Sequence, residues 1–526
     1  MSKMLKSSGA MALATLISRV LGMVREMVYM GFMGVGWVND AFQLAFMIPN
    51  LFRRLLGEGA LTAAFIPIFK EKEKLHGESE MWRASNAVIS GLVVAASVVI
   101  VVVLLGISIA LGAHHFGTKT ELMLRLLRVM FPYMLLVCLA AAFMGMLNAR
   151  GHFFIPAMGA TMLNVVMISS VLWLAPHFGQ TLPKQDKLPE QIFALAIGVL
   201  AAGVAQAAFQ LPTLHRDGFR YRWVPPWHDE TVHRVIYRMI PGAIGVAAFQ
   251  INVALVQSLA FWVGNGIVSS FNGAVRLMEL PQGMFGISLA TYLLPTLSGL
   301  AAEKNYAGFR QTLKQGLGYL AFVNLLAGAM AFALAGPIVR LIFEHGKFGP
   351  QDTLRVAFAL MALAPGLFFF SAVNILARAF YALHDIKTPM KISIICLVLN
   401  LIFAGCLVQR YREVGLGAAN SLSAVFNASL LLHWLRRKLS ELEMAELRGT
   451  LSKLLAAAIA SGAAAWLAWG ICDARFGHAT LWPRLVGVFV PMGIGGAIYF
   501  GLAWLCRVPY VKDILALLPG KWKRAG

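Results

Sequence analysis

The chain has 526 residues, of which 59% are hydrophobic and only 13% charged, with a mean hydropathy of +0.72 and a formal net charge of +21. That balance excludes a water-soluble domain of this length. Apolar runs of about 20 residues, enough to cross roughly 30 Å of hydrocarbon, recur from end to end and predict one polytopic, all-α membrane protein.

The opening Met1 to Lys6 is basic and leads into an apolar run, as a signal peptide would. Arg19 and Arg25 interrupt that run and no small-residue cleavage site follows, so it reads as a retained first helix. The stretch LISRVLGMVREMVYMGFMG (16–34) is long enough to span, yet places Arg19, Arg25 and Glu26 at bilayer depth, where each unpaired charge costs about 2.5–3.5 kcal/mol on insertion scales. About fourteen helices are expected in all, near 9–34, 38–57, 86–112, 121–148, 156–176, 191–215, 238–262, 268–298, 315–340, 352–382, 389–409, 415–436, 451–472 and 484–506. Asp40 opens the second, Arg53 and Arg54 close it, and Glu58 follows. Arg276 and Glu279 stand three apart on the eighth, close enough to pair.

An even number of spans puts both termini on one side. The N-terminus and alternate loops hold 29 of the 45 Lys and Arg residues, so by the positive-inside rule both termini are cytoplasmic. Most of the positive charge is then topology, and nucleic-acid binding is not called for. The five cysteines lie in or at the ends of apolar runs without C-x-x-C spacing, which argues against metal or disulfide work.

Segments recur in order. NDAFQL at Asn39 and NGAVRL at Asn272 lie 233 positions apart, as do ARGHFFIP (149–156) and ALHDIKTP (382–389). VAQAAFQL from Val204 and VFNASLLL from Val425 are 221 apart, the difference matching a polar insertion around GQTLPKQDKLPEQ. Two copies of six helices have the same orientation, so the expectation is two six-helix lobes, 1–222 and 223–440, related by a pseudo-two-fold axis along the membrane normal with a cavity between them, plus two C-terminal helices in 441–526.

Helical spacing puts Ser18, Gly22 and Arg25 on one stripe and Arg19, Gly22 and Glu26 on the next, forming one polar face. Plain structural readings stand beside functional ones. Arg53, Arg54 and Glu58 could be snorkelling anchors, which suits Arg54 best. Asp40 reads equally as a charge favoured by a helix N-terminus or as a cavity group. Arg276 and Glu279 could be a structural pair, and Arg125, Arg128 and Arg378, near helix ends, read as structural. Arg19, Arg25 and Arg276 lie deep in apolar runs, where an ionisable group is a functional candidate by default.

The pattern SRVLGMVREMVYMGFMG…NDAFQLAFMIPNLFRRLLGEGALTAAFIPIF, with NGAVRLMELPQGMFGISLATYLLPTLS in the second half, resembles the MurJ (MviN) lipid II flippases of bacterial cell-wall synthesis, in a superfamily with the multidrug and toxin extrusion transporters. The resemblance covers essentially the whole chain. It implies a bacterial inner-membrane protein that flips lipid II from the cytoplasmic to the periplasmic leaflet by alternating access. It also implies a substrate-binding set Arg19, Arg25, Arg53 and Arg276, a helix 2 acid at Asp40, a cytoplasmic-gate acid at Glu58, and a groove on the last two helices for the polyprenyl tail. Glu26 stands where many members have Asp.

Guanidinium groups bind phosphate oxygens bidentately, so clustered arginines suit a lipid diphosphate. The alternatives are an ion-coupled exporter of drugs, which needs dominant acids, and a carrier of another polyprenyl-diphosphate-linked glycan. An embedded transferase would need a catalytic carboxylate or His on an ordered loop; His114 and His115 have no partner motif. No H-E-x-x-H or P-loop is present, and Gly346-Lys347 is followed by Phe348. The reading is therefore a transporter, not an enzyme, with no catalytic residue, cofactor or metal. Its partners are lipid II, membrane lipids and the peptidoglycan synthesis machinery, with no nucleic acid.

Overall fold

The structure is a computed structural model that describes residues 2–54, 61–183, 187–439 and 445–511. Among these the chain is helical throughout, with no strand. It divides into two compact units, Met1–Phe261 and Trp262–Gly526, and each has its own architecture.

The first unit contains α1 (Ser2–Met33), α2 (Trp37–Phe52), α3 (Leu61–Ala113), α4 (Thr118–Met130), α5 (Tyr133–Ala149), α6 (Phe154–Ser169), α7 (Lys187–Arg216) and nearly all of α8 (Glu230–Val263). Much of the expected basic loop after α2 is helix. Gly77, at φ 84°, breaks α3 into a lower leg and a long apolar span, a backbone conformation that costs a glycine little. Phe65, Ile68 and Phe69 recur at helical spacing on the lower leg and pack with Met146, Leu214, Phe219 and Val235, while the lysines and glutamates that follow, Lys70 to Lys74, are half-buried or exposed. The leg is therefore a docked amphipathic helix.

The second unit contains α9 (Ile267–Pro281), a π-helical turn at Gln282–Ile287, α10 (Ser288–Ala302), α11 (Tyr306–Ala333), α12 (Ala335–Phe343), α13 (Pro350–Leu363), α14 (Leu367–Ala382), α15 (Lys387–Lys438), α16 (Ala445–Phe476) and α17 (Leu481–Leu505). α15 is bent at Arg412, whose φ of 50° is unusual for a residue with a side chain.

The sequence repeat has a backbone counterpart. α4 and α5 meet at Phe131–Pro132 with a 44° bend. Displaced by 233 positions, Pro132 falls on Pro365, inside the short turn that separates α13 from α14. Proline has no N–H for the helix ladder and crowds the preceding turn, so both copies break at the same place. α6 and α15 begin the same 233 positions apart, at Phe154 and Lys387.

The fourteen expected segments fall on these helices or their short joining turns wherever residues are described. By length and composition, nine helices among the described residues qualify as membrane spans, or ten with α4 and α5 taken as one, not fourteen. α2 is short, at 16 residues, and α15 counts once although its two legs match two expected helices.

The last two helices are packed into the second unit. α16 turns a seam of Leu454, Ala457, Ala458, Ser461, Gly462 and Ala465 towards α11 and α17. Small residues let backbones approach closely, which matters in lipid because apolar side chains gain little there from leaving one apolar environment for another. A Cβ on Gly495 of α17 would lie 2.8 Å from Met330 Cε. Tyr499, fully buried, donates its hydroxyl to Phe322 O of α11 at 2.7 Å.

Candidate functional site

Arg25 is one of the expected charges that the structure buries. Its side chain is only 12% exposed, and Nη1 donates to Asn164 Oδ1 on α6 at 3.0 Å. Asn164 Nδ2 in turn donates to Ser18 O at 3.3 Å, and Gly22 leaves room for the same amide. The expected stripe of Ser18, Gly22 and Arg25 is thus the face of α1 that meets α6. Nη2 lies 3.5 Å from Glu26 Oε2, and the guanidinium carbon stands 5.5 Å from the centre of the Tyr29 ring. Arg25 Nε is buried and makes no hydrogen bond among the described residues, leaving one donor uncommitted.

The neighbouring stripe does not share that burial: Glu26 is 6% exposed while Arg19 is at the surface of the unit. The two stripes therefore do not form one polar face. Asn164 was legible only as an amide in an otherwise apolar run, a polar group that needs a partner at that depth.

Asp40 is completely buried near the start of α2, and its Oδ2 lies 3.0 Å from Lys119 Nζ on α4. Lys119 also donates to Phe261 O at 2.8 Å and stands 4.2 Å from the centre of that ring. One ammonium thereby joins α2, α4 and the end of α8, which a helix-dipole reading of Asp40 does not require. Nothing in the sequence paired Asp40 with Lys119, 79 positions away. Arg53 donates Nε to Asn50 Oδ1 at 2.7 Å, and Arg54 reaches Gln250 Oε1 at 3.4 Å. Glu58 lies outside the described residues.

In the second unit Arg276 Nη1 donates to Glu279 Oε2 at 2.8 Å, with both side chains about half exposed. Arg378 donates to Thr291 Oγ1 at 2.8 Å. The sequence reading missed a denser cluster, where Arg355 grips Glu413 with Nε and Nη2 at 2.7 and 3.1 Å while Arg355 and Arg412 both donate to Asn265 O. Between α14 and α15, Asp385 accepts from Lys438 Nζ at 2.8 Å and from Thr388 N and Oγ1. Partial burial pulls its carboxyl upwards, but those donors outweigh it and hold the group down at about 2. Among the described residues no cluster of three His, Cys, Asp or Glu side chains could hold a metal ion.

A polytopic all-helical chain with an internal repeat and charged groups buried on its apolar helices has the construction of a membrane transporter. A solved structure described as an inward-facing multidrug resistance MATE family transporter of the MOP superfamily superposes with a TM-score of 0.63 at 15% identity, covering 81% of this chain and 95% of its own. Another, a lipid II flippase MurJ in an inward closed conformation, superposes with a TM-score of 0.77 at 22% identity, covering 96% and 99%. These establish the fold. The family profile described as "Lipid II flippase MurJ" matches residues 29–487. A probable lipid II flippase MurJ of Vibrio cholerae is 32% identical over 98% of both chains, and the lipid II flippase MurJ of Burkholderia cenocepacia is 32% identical over 94% of this chain and 96% of its own. The chain belongs to the MurJ family of lipid II flippases.

Proposed function

We propose that this chain flips lipid II from the cytoplasmic to the periplasmic leaflet of the bacterial inner membrane by alternating access, with both termini cytoplasmic. The observation that carries the reading beyond family membership is Arg25. It is a buried guanidinium in an apolar helix, oriented by Asn164 and holding an uncommitted Nε donor. An arginine so placed is costly at bilayer depth, and a phosphate oxygen is the partner its planar fork fits best.

Arg19, Arg25, Arg53 and Arg276 are the proposed diphosphate-binding groups, and Glu26, Asp40, Glu58 and Glu279 the proposed gating or charge-pairing acids. The proposed lobes are 1–222 and 223–440, with α16 and α17 in 441–526 holding the polyprenyl tail and peptidoglycan synthesis enzymes receiving the product. The protein works as a transporter without a catalytic step of its own. Moving one charge through 100 mV yields about 2.3 kcal/mol, enough to bias such a cycle without ATP.

The test is reconstitution in liposomes with fluorescent lipid II, scoring its exposure on the far leaflet with and without an imposed potential. Far-leaflet exposure no faster than in protein-free vesicles would refute the reading.

A further inference from the structure

Arg125 and Arg128, read from sequence as structural charges, line a cavity of about 440 Å³ in the first unit with Glu121, Val129, Leu111 and Phe193. That volume lies within the range of small-ligand sites. Glu121, Arg125, Arg128 and Val129 recur at positions i, i+4, i+7 and i+8, so they share one stripe of α4. The opposite stripe, Leu122, Met123, Leu126, Leu127 and Met130, is buried in the unit. Leu111 is two residues from the end of α3 and Phe193 six residues into α7, so these two helix ends meet the stripe of α4 that runs from its first turn to its last. Arg128 lies ten positions into α4, roughly 15 Å along its axis.

Three observations give the occupant. The charges are unequal: Glu121 Oε1 lies 2.5 Å from Arg125 Nη2, whereas Arg128 makes no ion pair or hydrogen bond among the described residues. The surroundings are apolar, because α3 presents Val98, Val101, Val102, Leu105 and Ile109 outwards along the turns leading to the cavity. Finally, the repeat supplies an internal control. Displaced by 233 positions, Glu121, Arg125 and Arg128 fall on Leu354, Phe358 and Met361 of α13, and Leu354 and Phe358 are exposed apolar side chains. The stripe that suits hydrocarbon in one copy carries two guanidiniums in the other. An arginine facing lipid is costly unless its charge is met at headgroup level, and phosphate is the lipid group that meets it.

We propose that this cavity binds the phosphodiester headgroup of an anionic glycerophospholipid, with Arg128 as the main phosphate ligand, Arg125 as the second, and Leu111, Val129 and Phe193 contacting the first acyl carbons. The site is independent of the lipid II reading, since it needs neither the proposed substrate arginines nor transport.

The test uses the full-length protein in detergent with a photoactivatable phosphatidylglycerol, the labelled peptides being mapped with phosphatidylcholine or inorganic phosphate as competitor. Labelling is expected within 111–129 and around Phe193, displaced by unlabelled phosphatidylglycerol and far less by phosphatidylcholine or free phosphate. Arg128→Gln should lower it roughly tenfold, the loss of one charge-assisted contact. Arg128→Lys should keep part of it, and Glu121→Gln, which frees Arg125, should raise it. Labelling elsewhere, or equal labelling in Arg128→Gln and Glu121→Gln, overturns the site. Displacement by inorganic phosphate as effective as by the lipid overturns the lipid as its occupant.

Discussion

The two units share a backbone plan and differ in where they put charge. Both break a helix at a proline 233 positions apart, and both start their next long helix at the same displacement. Yet Asp40 and Lys119, a buried pair in the first unit, correspond to Gly273 and Asp352 in the second, where Asp352 accepts from Gly349 N at its own helix start. In a second correspondence the carboxylate changes sides. His152 lies 3.1 Å from Asp217 in the first unit, and the equivalent positions carry Asp385 and Lys438, 2.8 Å apart. A proline break is set by the backbone, which lacks an N–H there, whereas an ion pair needs only opposite signs at a fixed separation. Geometry was therefore kept while charges were free to specialise.

The largest expected effect falls on α1, whose buried Arg25 has Ser258 of α8 at the position 233 residues on. Arg25→Ala should abolish far-leaflet exposure of lipid II while the protein still accumulates in the membrane, since an apolar residue inserts more readily. Immunoblotting of membranes beside the liposome assay separates the two; wild-type flipping would remove Arg25 from the substrate path.

Next is Lys119→Met, which removes the ammonium 3.0 Å from the buried Asp40 carboxylate, a pairing the corresponding positions Gly273 and Asp352 do not repeat. Removing one partner of a buried pair costs about 3–5 kcal/mol. Thermal melting in detergent should show a large loss, largely restored by Asp40→Asn in the same chain. No rescue would mean that Lys119 acts through the Phe261 carbonyl instead.

The clasp between Asp385 and Lys438 gives a smaller, pH-dependent effect. Its carboxyl is held below the ordinary value, so the stability it contributes is complete above pH ~4 and lost as pH falls towards about 2. Asp385→Asn should remove that acid-side slope from the melting temperature and cost about 1 kcal/mol at neutral pH. An unchanged slope would place acid sensitivity elsewhere. Smallest is Tyr499→Phe, which deletes one buried hydroxyl bond to Phe322 O, for about 1 kcal/mol in the same melting assay.

Helix positions were legible because apolar runs and their breaks are local, and Arg25 was legible because a charge in such a run is conspicuous. Its partner was less so: Asn164 is 139 positions away, and only the fold brings it opposite Ser18 and Gly22. Lys119 escaped notice because it stands at a helix start, where a lysine needs no explanation. The lower leg of α3 was read as a loop because its lysines and glutamates outweigh Phe65, Ile68 and Phe69 in composition, though not in spacing. The outward stripe of α4 became meaningful only when its apolar counterpart on α13 could be set beside it.

The small-residue seam of α16 has a consequence for biogenesis. Helices emerge from the ribosome in order, so α11 must reside in the bilayer before α16 and α17 exist. Because lipid solvates the apolar flank of α11 as well as protein does, that wait exposes no surface that aggregation could exploit. Ser461 and Tyr499 instead act on arrival, fixing one register among the many that a smooth alanine and glycine seam would otherwise allow to slide. The final assembly step is thus a search in two dimensions, ended by two hydroxyl groups.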